Sequence, residues 1–136
     1  MNIFPQAVIL SASQSKLHHS VNHTNHMELY NFLQSQKFGI KLVDDMYKGV
    51  KENSIFVQLN EFNDLERLKE LVTKYNQESV LYLDSNRVAS LHYCNSDKVD
   101  FLGKFTNVTE EVAKMHDCYT VDSQGMKVPT YWVTIK

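Results

Sequence analysis

Leu65, Leu68, Leu71, Val72 and Tyr75 recur at three- and four-residue spacing. On an α-helix that spacing gathers them into one apolar stripe, and such a stripe must be buried against a second layer. Asn63 or Asp64 stands where the helix would be capped. Strand-length apolar runs flank it, residues 55–59 before and residues 79–83 after. The covering layer is therefore expected to be a sheet. Residues 7–12 form a further apolar run without alternation, as in a strand covered on both faces. Residues 13–20 are polar and irregular. Met27, Tyr30 and Leu33 mark a helix over residues 21–38, with Gly39 where it would stop. Residues 40–43 resume strand character, and residues 44–53 read as a polar turn or loop. Residues 79–83 and 88–93 flank Asp84-Ser85-Asn86 as a hairpin. A strand over 101–108, a helical turn over 110–115 and a terminal hairpin of 119–121 with 131–135 complete the chain. This is the βαββαβ order of an α+β, ferredoxin-like antiparallel sheet with two helices on one face, extended by extra C-terminal strands. Its other face would be open, carrying apolar side chains such as Val57 or Tyr82, and would drive self-association.

Residues 1–136 suit one domain. With 43% hydrophobic and 22% charged residues the composition argues against a wholly disordered chain. Fourteen basic against sixteen acidic residues, with only Arg67 and Arg87 as arginines, leave no basic stripe for nucleic acid. The net charge of -2 is also too small to mimic a nucleic acid. The apolar run at residues 7–10 is far short of the ~20 residues that span a bilayer. No basic segment with a signal-type core precedes it, so no membrane association is expected. Cys94 and Cys118 make no disulfide framework and read as reduced thiols of a cytoplasmic protein.

His18, His19, His23 and His26 include i,i+4 and i,i+3 pairs, spacings that can place imidazoles on one helical face. No carboxylate or cysteine at ligand spacing joins them, so the segment reads as a solvated polar turn rather than a metal site. Four scattered glycines form no phosphate-binding loop, and there is no Gly-x-Ser-x-Gly elbow. Two windows stand out. In residues 47–53 a tyrosine and a carboxylate, Tyr47 and Glu52, bracket a short Gly-containing loop that feeds a buried strand. In residues 75–79 a helix gives way to the next strand. Neither pattern selects a function by itself.

Taken in order, however, several blocks resemble the S-adenosylmethionine-degrading enzymes of bacteriophages, first described as hydrolases and better understood as lyases. The run Val8-Ile9-Leu10-Ser11-Ala12 is similar to that family's opening V-L-V-S-A, followed at family spacing by Leu17, Val21-Asn22 and His26. Tyr47-Lys48 matches a tyrosine-plus-basic pair, although the loop from it to Glu52 is shorter. Gln77-Glu78-Ser79-Val80-Leu81 resembles Q-[DE]-x-V-L, residues 102–108 resemble L-x-G-S-F-x-x-V, and residues 118–122 resemble C-F-T-I-D. The similarity runs from about residue 6 to residue 133.

The resemblance implies a PII-like homotrimer with active sites between subunits. It implies cleavage of S-adenosylmethionine to 5'-methylthioadenosine and homoserine lactone, with no cofactor and no metal. It assigns Tyr47 and Glu52 as the catalytic pair, with Gln77, Glu78, Ser79, Ser11 and Ala12 at the substrate. For a phage, the benefit would be depletion of S-adenosylmethionine in the host cytoplasm against restriction. Three other readings compete: hydrolysis with Glu52 as general base, a PII-like nucleotide-binding sensor or sponge without turnover, and a protein that blocks a host enzyme directly.

Overall fold

The structure, a computed structural model, describes residues 6–136; the absence of a basic segment before Ala7 concerns residues 1–5, outside the described residues. The elements run β1 (Ala7–Leu10), α1 (His19–Ser35), β2 (Gly39–Tyr47), β3 (Val50–Gln58), α2 (Asp64–Thr73), β4 (Ser79–Leu83), β5 (Val88–Tyr93), β6 (Val99–Val108), α3 (Glu110–Ala113), β7 (Cys118–Asp122) and β8 (Thr130–Ile135). All strand pairs are antiparallel, in the ring β1-β3-β2-β7-β8-β6-β5-β4, and β4 closes on β1 with Ile9 opposite Leu81.

The fold is therefore a closed eight-stranded barrel, and the expected open ferredoxin-like or PII-like sheet is overturned. β5 to β8, read from the sequence as an extension, bridge the gap between β4 and β2. Two apolar layers result from the period of two along each strand. Val8, Leu10, Ile55, Val57 and Val80 face outward and meet Leu29 and Leu33 of α1 and Leu68 and Val72 of α2. Ala7, Ile9, Val43, Leu83, Ala89 and Phe105 face inward, packed with Phe56, Leu81, Leu102 and Trp132. The unbroken apolar run of β1 follows from this arrangement, since both of its faces are covered. Val57 and Tyr82 do not lie on an open face: Val57 is fully buried beneath the helices, and Tyr82 packs against the same cluster. The face expected to be bare is the lining of the barrel.

Two helix ends use left-handed residues other than glycine. Lys37 takes a φ of 64° at the end of α1, with Phe38 N donating to Leu33 O (3.4 Å) and Lys37 N to Gln34 O (3.1 Å). This paired-bond ending stops the helix before Gly39, which opens β2. Asn76, at φ 57°, does the same after α2. Asp64 does not cap α2 in the expected way; its buried Oδ2 accepts from Asn60 N (2.9 Å) and Glu61 N (2.8 Å) and pins the preceding turn.

The polar stretch 44–53 is not a loop. It pairs residue for residue as the far half of the β2–β3 hairpin, turning through Lys48 (φ 49°) and Gly49 (φ 83°). Two successive positive φ values give the two-residue turn whose twist suits a hairpin.

Candidate active site

One end of the barrel, its mouth, is framed by the C-terminal ends of β1, β2, β5 and β8 and the N-terminal ends of β3, β4, β6 and β7. The strand register carries most of the expected site residues there. Asp45 is directly opposite Glu52, and Tyr47 is opposite Val50 and Cys118. Val43, Asp45 and Tyr47 alternate onto the inward face, and Glu52 joins them across the ladder. Glu52 thus sits on paired strand rather than in a Gly-containing loop. Tyr47 stands at the rim, 57% exposed, with Lys48 Nζ 5.3 Å from its ring centroid.

Ser11 and Ala12 are buried where β1 leaves the barrel. The Ser11 hydroxyl donates to the Asn53 carbonyl (3.0 Å) and accepts from Ser13 N (3.0 Å), which ties the β1 exit to the strand carrying Glu52. Gln77 reaches the same exit: its Nε2 donates to the Ser13 carbonyl at 2.8 Å. The helix ending explains its position, because left-handed Asn76 turns the chain and Gln77 N closes onto Val72 O (3.3 Å). Asn22 holds the other side of this loop, accepting from Gln14 N (2.9 Å) and donating to Gln14 O (2.8 Å). Ser79 begins β4 beside Tyr93, whereas the Glu78 side chain is exposed and its carbonyl accepts from Cys94 N (2.8 Å). Tyr47, Glu52, Ser11, Ala12, Gln77 and Ser79 are therefore brought to one end, and Glu78 lies at its outer margin.

Asp45 is the residue that sequence reasoning missed. Its Oδ1 accepts from Thr120 Oγ1 (2.8 Å) and its Oδ2 from Ser54 Oγ (2.9 Å), so β2, β3 and β7 converge on one carboxylate. Burial pushes the Asp45 carboxyl above its usual range, the two hydroxyls pull it back, and Asp44 adds a smaller upward push. Burial likewise raises Glu52, opposed by the Ser11 hydroxyl and reinforced by the charge of Asp45. The signal was present in the alternation: extending the inward face from Val43 by two residues reaches Asp45. Asp45, Tyr47, Leu81, Leu102, Phe105, Cys118 and Thr120 line a cavity of about 210 Å³ at this mouth. Burial, Asp117 and Asp45 push the Cys118 thiol up, so it is poorly suited to act as a nucleophile.

Among the described residues no group of three His, Cys, Asp or Glu side chains is placed to hold a metal ion. His18 instead accepts from Ser20 N (3.1 Å) at the start of α1. His26 is buried, and burial, with help from His23, lowers its pKa against the pull of Asp44. Among the described residues no helix is long and apolar enough to cross a membrane.

The cavity lining is mostly apolar, with Asp45 in it, Glu52 opposite Asp45 on the ladder and Tyr47 at the rim, an arrangement that suits a cationic ligand with an apolar body. The S-Adenosylmethionine lyase family matches residues 8–135, nearly the whole chain, and the chain belongs to that family. The family name gives the reaction class: a lyase acting on S-adenosylmethionine. A separate similarity, 31% identity over 81 residues, is to the protein translocase subunit SecD of Rickettsia felis. It covers 60% of this chain but only 15% of that protein.

Proposed function

We propose that this chain cleaves S-adenosylmethionine at the barrel mouth into 5'-methylthioadenosine and homoserine lactone, without a cofactor. The observation that carries the reading, beside the family match, is the opposition of Asp45 and Glu52 on the inward face beneath Tyr47. The substrate bears two positive groups, a sulfonium and an α-ammonium, and two carboxylates in a partly desolvated mouth complement them.

In this reading the nucleophile is the substrate's own carboxylate. It attacks the γ-carbon, the carbon–sulfur bond breaks, and its electron pair neutralises the sulfonium as methylthioadenosine leaves. No proton moves, so the protein's task is to fold the methionyl chain and to keep water from the reacting carbon. Intramolecular alignment of this kind contributes ~7–11 kcal/mol. Glu52 binds the α-ammonium, Tyr47 faces the sulfonium with its ring or holds the chain through its hydroxyl, and Gln77, Ser79, Ser11 and Ala12 shape the adenosyl side. Glu78 contributes from the outer margin.

The raised pKa of Glu52 also suits a general base, which favours direct hydrolysis as the second reading. Incubation with S-adenosylmethionine in oxygen-18 water separates the two. The lyase reading expects methylthioadenosine and an unlabelled lactone at early times; label on the γ-oxygen of homoserine supports hydrolysis instead. Absence of methylthioadenosine would leave a binding protein. Glu52→Gln is expected to lose roughly ten- to a hundredfold in substrate affinity, from a charge-assisted bond of ~1.5–3 kcal/mol. Unchanged turnover in that variant would remove Glu52 from the mechanism. A trimer acting in the host cytoplasm to deplete S-adenosylmethionine against restriction completes the proposal.

A further inference from the structure

Among the described residues that line the mouth cavity, Asp45 is the one ionic side chain. The walls around it are apolar, built from Leu81, Leu102, Phe105 and Trp132. No lysine, arginine or histidine shares the lining, and Glu52 is not in it either: it stands alongside, across the ladder from Asp45. The Asp45 carboxylate is also fixed in place. Ser54 Oγ donates to its Oδ2 at 2.9 Å and Thr120 Oγ1 to its Oδ1 at 2.8 Å, and both of these residues are buried. Hydroxyls that donate to a carboxylate favour its charged form. Each oxygen thus already accepts one hydrogen bond, while Asp45 keeps part of its surface accessible.

We propose that Asp45 is the specificity-determining residue of this site, the one that selects a sulfonium over the neutral thioether of the same shape. The inference rests on S-adenosylmethionine being the ligand bound at this mouth. A sulfonium is a cation with no N–H or O–H to donate. It needs a negative charge close by rather than a vacant acceptor, and apolar surroundings for the carbons on its sulfur. Asp45 supplies the charge with its oxygens already engaged, and the leucines and aromatic rings supply the surroundings. An ammonium has three donors to satisfy and is better served outside this lining, where Glu52 stands. Within apolar walls the attraction to Asp45 is screened far less than in water. Cleavage cancels it. When the carbon–sulfur bond breaks, sulfur takes the electron pair and becomes neutral, so the product is no longer held by the charge that held the substrate. The loss begins in the transition state, so Asp45 contributes to binding and not to the rate of the chemical step.

The test compares decarboxylated S-adenosylmethionine with its demethylated thioether, S-adenosyl-3-thiopropylamine. The two share the adenosyl group and the amine and differ in the sulfonium. Neither carries the carboxylate that would close a lactone, so calorimetric titration reads affinity without that reaction. The wild type is expected to bind the sulfonium at least about tenfold more tightly than the thioether. In Asp45→Asn, whose amide can still bond both hydroxyls, the ratio should fall to within about threefold. In Glu52→Gln both compounds should weaken while their ratio stays, because both keep the amine. With S-adenosylmethionine itself, the loss in Asp45→Asn should appear in KM rather than in kcat. Equal affinity in the wild type, an unchanged ratio in Asp45→Asn, a lower kcat at unchanged KM, or a ratio that collapses in Glu52→Gln would overturn the proposal. The first and last of these decide even if Asp45→Asn fails to fold. A parallel assay for methylthioadenosine separates the two readings. Turnover with equal affinities removes only the role of Asp45, whereas no turnover and no binding removes the site along with it.

Discussion

Glu52 and Asp45 face each other across one rung of the β2–β3 ladder, an arrangement of like charges that favours proton retention. Both carboxyls lie above their ordinary range in the folded protein, with burial the largest cause in each. The native state therefore keeps protons at pH values where the unfolded chain has lost them. The stability that these groups contribute is full below the ordinary carboxylate range and falls as pH rises through the raised native values. Glu52→Gln cannot ionise, so it should melt at or above wild type at neutral pH, with the gap closing in acid. Thermal melts across that window check this, and a variant that melts well below wild type at neutral pH would make Glu52 a structural residue. Substrate cations should reverse the upward shift and expel the retained proton. Calorimetry in two buffers of different ionisation enthalpy should register net proton release on binding of S-adenosylmethionine; proton uptake would contradict the placement of its cations against this pair.

Among the elements, β6 depends most on a single backbone position. Gly103 adopts a φ of +121°, and a Cβ there would stand 2.4 Å from the Ile135 carbonyl oxygen on β8. Backbone cannot swing aside as a side chain can, so Gly103→Ala should destabilise the β6–β8 seam by about 1–3 kcal/mol. Gly49→Ala meets open space and carries only the strain of its φ of +83°, so denaturant midpoints should rank it well above Gly103→Ala. The two examples also show which parts of the fold were legible in the sequence. α2 and β4 were, because an apolar stripe or a short apolar run reports local burial directly. The hairpin arm 44–53 was not, because its inward positions Asp45 and Glu52 are polar where the lining meets the mouth, and alternation of hydrophobicity disappears there. Tyr47 and Glu52 stood out as a pair bracketing that turn and took their expected roles from the resemblance alone, and Asp45, which no block contained, was not singled out. Ring closure was equally hidden, since it depends on Asp44–Tyr47 meeting Cys118–Val121 from the other end of the chain.

For the whole molecule, closure changes what drives assembly. A bare sheet face no longer calls for partners among the described residues, so three copies would have to meet through surface features such as exposed Val50 and Phe101. Light scattering at micromolar concentration should give three times the monomer mass if the trimer forms, and the monomer mass if the barrel stands alone. The position of β1 has a further consequence, for the order of folding. Ile9 pairs with Phe56 on one side and Leu81 on the other, so the first strand acquires both neighbours from segments far along the chain. The β2–β3 and β4–β5–β6 hairpins are local, but closing the ring is not, and topologies with such non-local pairings refold in milliseconds to seconds rather than microseconds. Until β3 and β4 arrive, Ala7–Leu10 is an apolar segment with both edges unpaired. Refolding yield should therefore fall as protein concentration rises, whereas in the folded ring residues 7–9 are paired along both edges.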